Sequence, residues 1–441
     1  VPYVSTYPHA IEHFFVAWRA MLSDDRLIDA AQIPLGLLGA GAVACLAREL
    51  GARVDHAVGA GLLWLTLPAV FLQLPTNYID VGCAALLLSA AAFTLAEPHP
   101  RNVLAAGVAL GLFLGSKPSA PIGTALMLVA LGWRARRAQL GAAFAASVAI
   151  VLVLGAESYV ANFVRHGNPI WPVSLSLGPI ELPGPRPMQA LLDSGPMAPR
   201  LDGPLPARVV RSWTSVDAPP VFDMRYGGLG LVFLAALPGA FVAAYRRREP
   251  ALALVALATL ASPDPAFARY VLPFPGLVLA LCAVSSSSAP AAVRRLALTA
   301  AAAASAFGLV RAYPGLTGEG PPLTAYAGMS ESERLRAVGA DGRPARFYDA
   351  LERLGPEDST AFDGSLYLPY LAWLPDLSHP ATRIPDDVDR ATAERIVGDP
   401  HVRLLIVDRA SPVAKAARAR GNTFTELFQC KSSSCVVLLR T

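Results

Sequence analysis

Charge is scarce in this chain. Only 16% of its 441 residues are charged, against about 25% in an ordinary soluble protein, and the mean hydropathy is +0.44. That shortfall excludes a conventional soluble enzyme over most of the length. The net charge of +4 is small and concentrated in short arginine-rich segments, so it reports topology rather than nucleic-acid binding. G-x-G-x-x-G, Walker, H-E-x-x-H and paired-cysteine metal motifs are all missing, which leaves cytosolic nucleotide chemistry and a zinc site without support. The chain opens at Val1 in a Pro/Tyr-rich polar stretch, with no initiator Met, basic n-region or signal peptide, and a preceding segment is expected. Cysteines number five. Cys45, Cys83 and Cys282 fall in apolar runs and read as small core residues. Cys430 and Cys435 flank a short loop that a disulfide would close outside the cytoplasm.

What the chain has instead is apolar runs punctuated by arginine. Ten hydrophobic stretches occupy residues 27–47, 56–74, 80–96, 101–116, 119–133, 139–163, 228–245, 250–262, 270–286 and 293–312. Several fall below the ~20 residues of a standard membrane span, which is tolerable where neighbouring helices or a watery cavity satisfy the freed backbone. Every second connection is basic: Arg48 with Arg53, Arg101, Arg134 with Arg136 and Arg137, Arg246 to Arg248, and Arg294 with Arg295. Placing these five in the cytoplasm gives one consistent threading of ten spans. The expected fold is therefore mostly α, a polytopic membrane helix bundle with about ten spans, followed by a small α/β C-terminal domain outside the cytoplasm.

Three regions follow. Residues 1–26 form an outer-surface segment whose stretch 9–22 has the apolar spacing of an amphipathic helix. Residues 27–312 form the transmembrane domain, including an outer loop at 164–227. Residues 313–441 carry ordinary polarity, with helices expected at 330–338, 345–354 and 391–397 and strands at Arg403–Asp408 (RLLIVD) and Cys435–Leu439 (CVVLL), the pattern of a soluble α/β domain.

The same threading collects the chemically interesting residues on the outer side. Asp80 opens a span, where a carboxylate acts as base, binds a cation or favours its own helix N-terminus. Lys117 sits in the break Gly115-Ser-Lys-Pro118, costly near bilayer depth unless it meets an anion such as phosphate. Arg269, followed by Tyr270, offers a planar fork suited to phosphate oxygens, and Asp264 is spaced to pair with it. His166, in His166-Gly-Asn-Pro169, ends a long span, with Gly167 as helix cap; the structural reading of His166 as a dipole-favoured terminal residue is the stronger one. Asp217, Asp223, Arg225 and Tyr226 either shape the same cavity or are solvated loop groups. His9 and His13 have i, i+4 spacing but no third metal ligand, and with Glu12 they read as a solvated helix face.

The order of these motifs resembles the polytopic C-type (GT-C) glycosyltransferases, the group containing protein mannosyltransferases and bacterial lipid A aminoarabinose transferases. The resemblance runs through Gln73–Asp80 (QLPTNYID), Gly111–Lys117, Tyr159 with Asn162, Gly167-Asn168-Pro169, Trp171-Pro172, Gly227-Gly228-Leu-Gly230 and Ala268-Arg269-Tyr270, and extends to Tyr367–Tyr370 in the tail. It implies a membrane enzyme, in a bacterial inner membrane, that takes a sugar from a polyprenyl-phosphate carrier and gives it to a lipid, glycan or protein acceptor. Lys117 and Arg269 would hold the lipid phosphate, Asp80 would line or assist the acceptor site, and Tyr270 and Asn168 would shape the cavity. The principal acidic base of such enzymes lies in the first outer loop, expected upstream of Val1. Magnesium or manganese is compatible with the chemistry, though the sequence holds no complete ligand set. The competing readings are a transporter or lipid flippase, which would favour mid-membrane ionisable residues and internal repeats, and a non-catalytic envelope assembly protein.

Overall fold

In the computed structural model the described residues are 6–22, 28–76, 78–177, 180–187, 203–215, 227–312, 343–366, 372, 380–385, 387–429 and 435–440. Tyr367–Tyr370, Cys430, the helix expected at 330–338 and the group Asp217, Asp223, Arg225 and Tyr226 lie outside them. The chain divides into a helical unit within residues 5–317 and an α/β unit within 318–441.

Each of the ten apolar stretches is helical. The first unit contains α1 (Ala10–Leu22), α2 (Gln32–Glu49), α3 (Val54–Leu65), α4 (Pro68–Phe71), α5 (Asp80–Leu95), α6 (Pro100–Leu114), α7 (Ala120–Arg137), α8 (Gly141–Gly155), α9 (Glu157–His166), α10 (Leu205–Thr214), α11 (Gly230–Arg247), α12 (Pro250–Leu260), α13 (Pro273–Ser287) and α14 (Ala291–Ala312). Two expected spans are interrupted. The stretch 56–74 ends as α3 at Leu65 and resumes as α4 at Pro68, because proline has no N–H to continue the ladder. The stretch 139–163 divides into α8 and α9, bent by 62°. The break follows Gly155, a poor helix former that packs against the Gly111 carbonyl. Among the described residues, α11 alone is long and apolar enough to cross a membrane by itself, and α8 with α9 reaches that measure jointly. Five further helices, α3, α5, α6, α12 and α13, are apolar but shorter.

Helix α5 is the hub. It is buried along nearly its whole length and packs against α2, α6, α7 and α13. Small residues let the helices approach closely. A Cβ on Gly61 would stand 2.3 Å from the Ala40 carbonyl oxygen, so α2 and α3 touch backbone to backbone. We expect Gly61→Ala to force these helices apart and cost about 1–3 kcal/mol, the usual penalty of overpacking. Thermal unfolding in detergent measures it, and an unchanged midpoint contradicts the packing described.

The arginine-rich connections gather at one end of the bundle. Arg134 donates to the Leu95 and Ala96 carbonyls (3.2 and 2.8 Å) and pairs with Glu249. Arg247 donates to the Leu50 carbonyl, and the Arg53 N–H donates to Ser287 Oγ (3.0 Å). Arg134 and Arg247 satisfy orphan carbonyls and negative dipoles at helix C-termini, so they fasten helix ends as well as carrying positive charge. The flanks of the same helices expose large apolar side chains, among them Leu37, Leu62, Ile122, Val153 and Phe241. So wide a spread of apolar surface is rare on water-soluble monomers.

The second unit holds α15 (Arg343–Leu351), α16 (Arg390–Gly398), α17 (Pro412–Ala419) and a five-stranded sheet. Its strands run in the order Ala381–Arg383, Ser359–Phe362, Val402–Asp408, Cys435–Arg440 and Phe424–Gln429, the first three parallel and the last two antiparallel to their neighbours. Val402–Asp408 reads as a continuous apolar run because both faces are covered. Leu405 and Val407 pack with Ala393, Val397 and Val413 of α16 and α17, while Leu404 and Ile406 pack with Phe347 and Leu351 of α15. Cys435 is disulfide-bonded, and Cys45, Cys83 and Cys282 are free.

Candidate active site

At the end of the bundle away from the arginine caps, three connections converge. The first is the turn into α5. The buried Gln32 of α2 holds it, its Nε2 donating to the carbonyls of Gln73 (2.6 Å) and Thr76 (3.1 Å). That grip delivers Tyr78 and then Asp80, which begins α5. The second is the break between α6 and α7. Tyr159 of α9 donates its hydroxyl to the Leu114 and Lys117 carbonyls (3.2 and 2.9 Å), satisfying backbone that the Gly-Ser-Lys-Pro sequence leaves outside a helix. The third is the single helical turn Ala268–Val271 before α13.

These three supports place Asp80 between two cations. Lys117 Nζ pairs directly with Asp80 Oδ1, and Arg269 Nε lies 4.0 Å from Oδ2. All three side chains are largely buried, at 4% exposure for Asp80, 18% for Lys117 and 13% for Arg269. Aromatic rings complete the enclosure. Lys117 Nζ stands 4.1 Å from the Tyr270 ring centre, and the Arg269 guanidinium is 4.8 and 5.0 Å from the rings of Tyr78 and Tyr270. Arg269 also donates to the Tyr270 hydroxyl at 3.2 Å. Two cations and one carboxylate leave the cluster with a net positive charge, walled by π faces that favour it.

The expected Asp264–Arg269 pairing does not form. Asp264 accepts instead from Arg208 of α10 (2.6 Å) and from the Ala266 N–H (3.0 Å). The residues between the two fall across a turn, not along a helix, and the turn points the side chains to different partners. Ser212 and Trp213 add bonds to the Ala266 and Pro265 carbonyls (2.5 and 2.9 Å), so α10 clamps the segment that carries Arg269. After the loop, Gly227, Gly228 and Gly230 all have positive φ, a backbone region that glycine enters without steric cost.

His166 and Asn168 serve a different connection. His166 stacks on Trp171 with ring centres 4.2 Å apart. Gly167 caps α9 in the left-handed conformation, as the sequence predicts. Asn168 is fully buried and donates to the carbonyls of Val173 (2.7 Å) and Pro183 (2.8 Å), while its own oxygen accepts from the Ile170 N–H (2.9 Å). Its side-chain capacity is taken up in folding the short sheet formed by β1 (Val173–Leu177), β2 (Ile180–Leu182) and β3 (Arg186–Pro187).

Glu12 sits at the edge of the solvated face, its side chain 37% exposed and His13 beside it exposed. Helix α1 lies on the bundle through Ile11 and Phe15, which are buried, and the Ala10 N–H donates to the Gly115 carbonyl (2.7 Å), close to Lys117 in the chain. Glu12 Oε2 is buried without a hydrogen-bond partner among the described residues. Burial raises the carboxyl above its ordinary range, against the opposing pull of His9, whose Nδ1 is 3.6 Å away, because desolvation disfavours the charged form. His9 and His13 stand 6.4 Å apart between ring centres, and among the described residues no group of three His, Cys, Asp or Glu is arranged to hold a metal ion.

Sequence reading also passed over Tyr78, Arg208 and Gln32. Tyr78 lies in the quoted QLPTNYID motif, just before Asp80, and a polar Gln32 at the head of an apolar run was a visible signal. Arg208 had none, being one of several arginines in a long loop.

The fold of the chain is similar to that of a solved bacterial protein, ArnT. The solved structure of ArnT from Cupriavidus metallidurans in the apo state superposes with a TM-score of 0.53 at 17% identity, covering 92% of this chain and 83% of that one. The same protein bound to undecaprenyl phosphate gives 0.51 at 16% identity, over 93% and 83%. A weaker likeness, TM-score 0.41 at 15% identity over 90% of this chain and 62% of the other, is to the apo oligosaccharyltransferase of Archaeoglobus fulgidus. No protein-family model matches the sequence, and no curated protein matches it either.

Proposed function

We propose that the chain is an integral membrane glycosyltransferase that moves a sugar from a polyprenyl-phosphate donor to an acceptor at the extracytoplasmic face of a bacterial plasma membrane. The observation that carries the proposal is the buried Lys117–Asp80–Arg269 cluster at the end of the bundle opposite the arginine caps. The fold of ArnT, a protein whose structure is also solved bound to undecaprenyl phosphate, supports the same reading.

The chemistry follows from charge. A donor phosphodiester bears one negative charge. When the acceptor oxygen attacks the anomeric carbon, the bond to the phosphate oxygen breaks and its electron pair stays on the phosphate, whose charge grows. A fixed site of net positive charge, screened from water, stabilises that change more than it stabilises the ground state. Lys117 and Arg269 supply it. Asp80 is already engaged by both cations, and we assign it to holding them in place. Glu12 is the better candidate for receiving the acceptor's hydroxyl proton. Partial desolvation raises its affinity for a proton although the side chain stays 37% open to solvent, and its helix meets the Gly115–Lys117 break through the Ala10 N–H, as a general base within reach of solvent and site requires.

We infer ten spans with the arginine caps in the cytoplasm, and the α/β unit outside. The disulfide of Cys435 is chemically at home there. Cysteines placed at 165 and 136, both exposed positions, test the orientation in intact cells. An impermeant maleimide should label position 165 and spare 136; the reverse pattern would invert the threading. Donor binding is tested by thermal shift. Undecaprenyl phosphate should raise the melting temperature of the purified protein and undecaprenol should not. Equal responses to both would remove the phosphate from the proposal.

A further inference from the structure

Beside α3 the bundle holds a further cavity, whose lining includes none of Asp80, Lys117 and Arg269. It measures about 350 Å³ and runs along the seam between α3, α11, α13 and α14. Its walls are apolar and shallow, built from residues such as Ala60, Leu63, Ala236 and Ala301, with the free thiol of Cys282 among them. One end is polar. There the buried His56, whose Nδ1 is 2.9 Å from Ser286 Oγ, and Arg294 line the same space. This is the arginine-capped end, since Arg53 and Ser287 meet further along the same two connections. A smaller cavity of about 50 Å³ shares Leu231, Val232 and Ala304 with the first and carries the seam on to Thr66 and Ser305. The helix alongside, α3, has 12 residues and so spans about 18 Å at 1.5 Å per residue.

An apolar seam lined at one end by a guanidinium, an imidazole and a hydroxyl has the complement of an amphiphile with an anionic head. We propose that this seam binds one acyl chain of an anionic phospholipid from the arginine-side leaflet, its phosphate against Arg294, His56 and Ser286. The head position argues against the polyprenyl donor, whose phosphate belongs at Lys117 and Arg269 in the function proposed above. The inference rests on that reading for the membrane orientation alone. Occupancy would fasten α14 to the bundle, because Ala301 and Ala304 line the seam together with residues of α3 and α11.

The native Cys282 is the reporter. The purified full-length protein is treated with N-ethylmaleimide in detergent, and alkylation at Cys282 is followed by peptide mass spectrometry. Dioleoyl phosphatidylglycerol should slow it at concentrations where dioleoyl phosphatidylcholine does not. Arg294→Gln should weaken that protection about tenfold in lipid concentration, the loss expected for one charge-assisted contact. Native mass spectrometry should show one retained phosphatidylglycerol on the wild type and none on the variant. Equal protection by the two phospholipids, or unchanged protection in Arg294→Gln, overturns the head-group site. Protection by undecaprenyl phosphate equal to that by phosphatidylglycerol overturns the choice of occupant. The two proposals separate in Arg269→Ala, which should lose the thermal response to undecaprenyl phosphate and keep the phosphatidylglycerol effect at Cys282.

Discussion

Arg269→Ala should lower turnover with a polyprenyl-phosphate sugar by about two to three orders of magnitude, the range seen when one preorganised transition-state donor is removed. The argument is geometric. The guanidinium is 13% exposed, 4.0 Å from Asp80, and flanked by the rings of Tyr78 and Tyr270. The two rings and the bond to the Tyr270 hydroxyl fix the guanidinium in place, so it needs little reorganisation to meet a ligand. Lysine retains the charge but has no flat face to stack and no fork to present. Arg269→Lys should therefore recover only a minor part of the loss. Thermal response to undecaprenyl phosphate gives an independent reading, since it depends on phosphate contact and not on the acceptor. Turnover within a few-fold of wild type, with an intact thermal response, would take Arg269 out of the phosphate site.

Much of the bundle was legible because helical membrane domains obey two strong rules, apolar length and arginine sidedness. All ten apolar stretches are helices, and the arginine-rich connections gather at one end of the bundle. What the apolar count could not show was where helices break. Pro68 and Gly155 sit inside hydrophobic runs, and hydropathy averages over them. The site was legible in part for a related reason. Asp80, Lys117, Arg269 and Tyr270 stand out because a charge or phenol at a helix end near apolar residues is unusual, and the structure brings these four together. The partnerships were not legible. Asp264 looked like the natural mate of Arg269, yet the acid that reaches Arg269 is Asp80, far away in the chain, while Asp264 takes Arg208. Ion pairing is decided by the turn that aims a side chain, and sequence distance carries no information about that. Asn168 shows the converse: its motif is prominent because it folds a loop, with its side-chain hydrogen bonds spent on backbone. Glu12 keeps the exposure that the amphipathic spacing predicts, at 37%, but the spacing could not show that one carboxylate oxygen is covered.

The pairing of Asp80 with Lys117 leads to a second large effect, one that separates folding from function. Asp80→Asn leaves Lys117 buried and facing a neutral amide. Breaking a buried ion pair from one side costs about 3–5 kcal/mol, because the remaining charge keeps its desolvation penalty, and that is a large share of the roughly 5–15 kcal/mol by which domains are ordinarily stable. The single variant should melt well below wild type. Adding Lys117→Met removes the charge paired directly with Asp80, a change that is commonly close to neutral when both members of a buried pair go, and leaves Arg269 facing the amide. The double variant should regain part of the lost melting temperature and remain inactive, since in the function proposed above it lacks one of the two phosphate cations. The ligand response should sharpen the contrast. In Asp80→Asn the lipid phosphate supplies the anion that Lys117 and Arg269 have lost, so undecaprenyl phosphate should raise its melting temperature by more than it raises that of wild type. A single variant as stable as wild type would show that the pair contributes nothing to the fold. A single variant that is unstable but no more responsive to undecaprenyl phosphate would show that the cations meet some other group. In the function proposed above the carboxylate therefore has one role with and without ligand: it keeps two positive charges together at the helix ends until a phosphate arrives to share them.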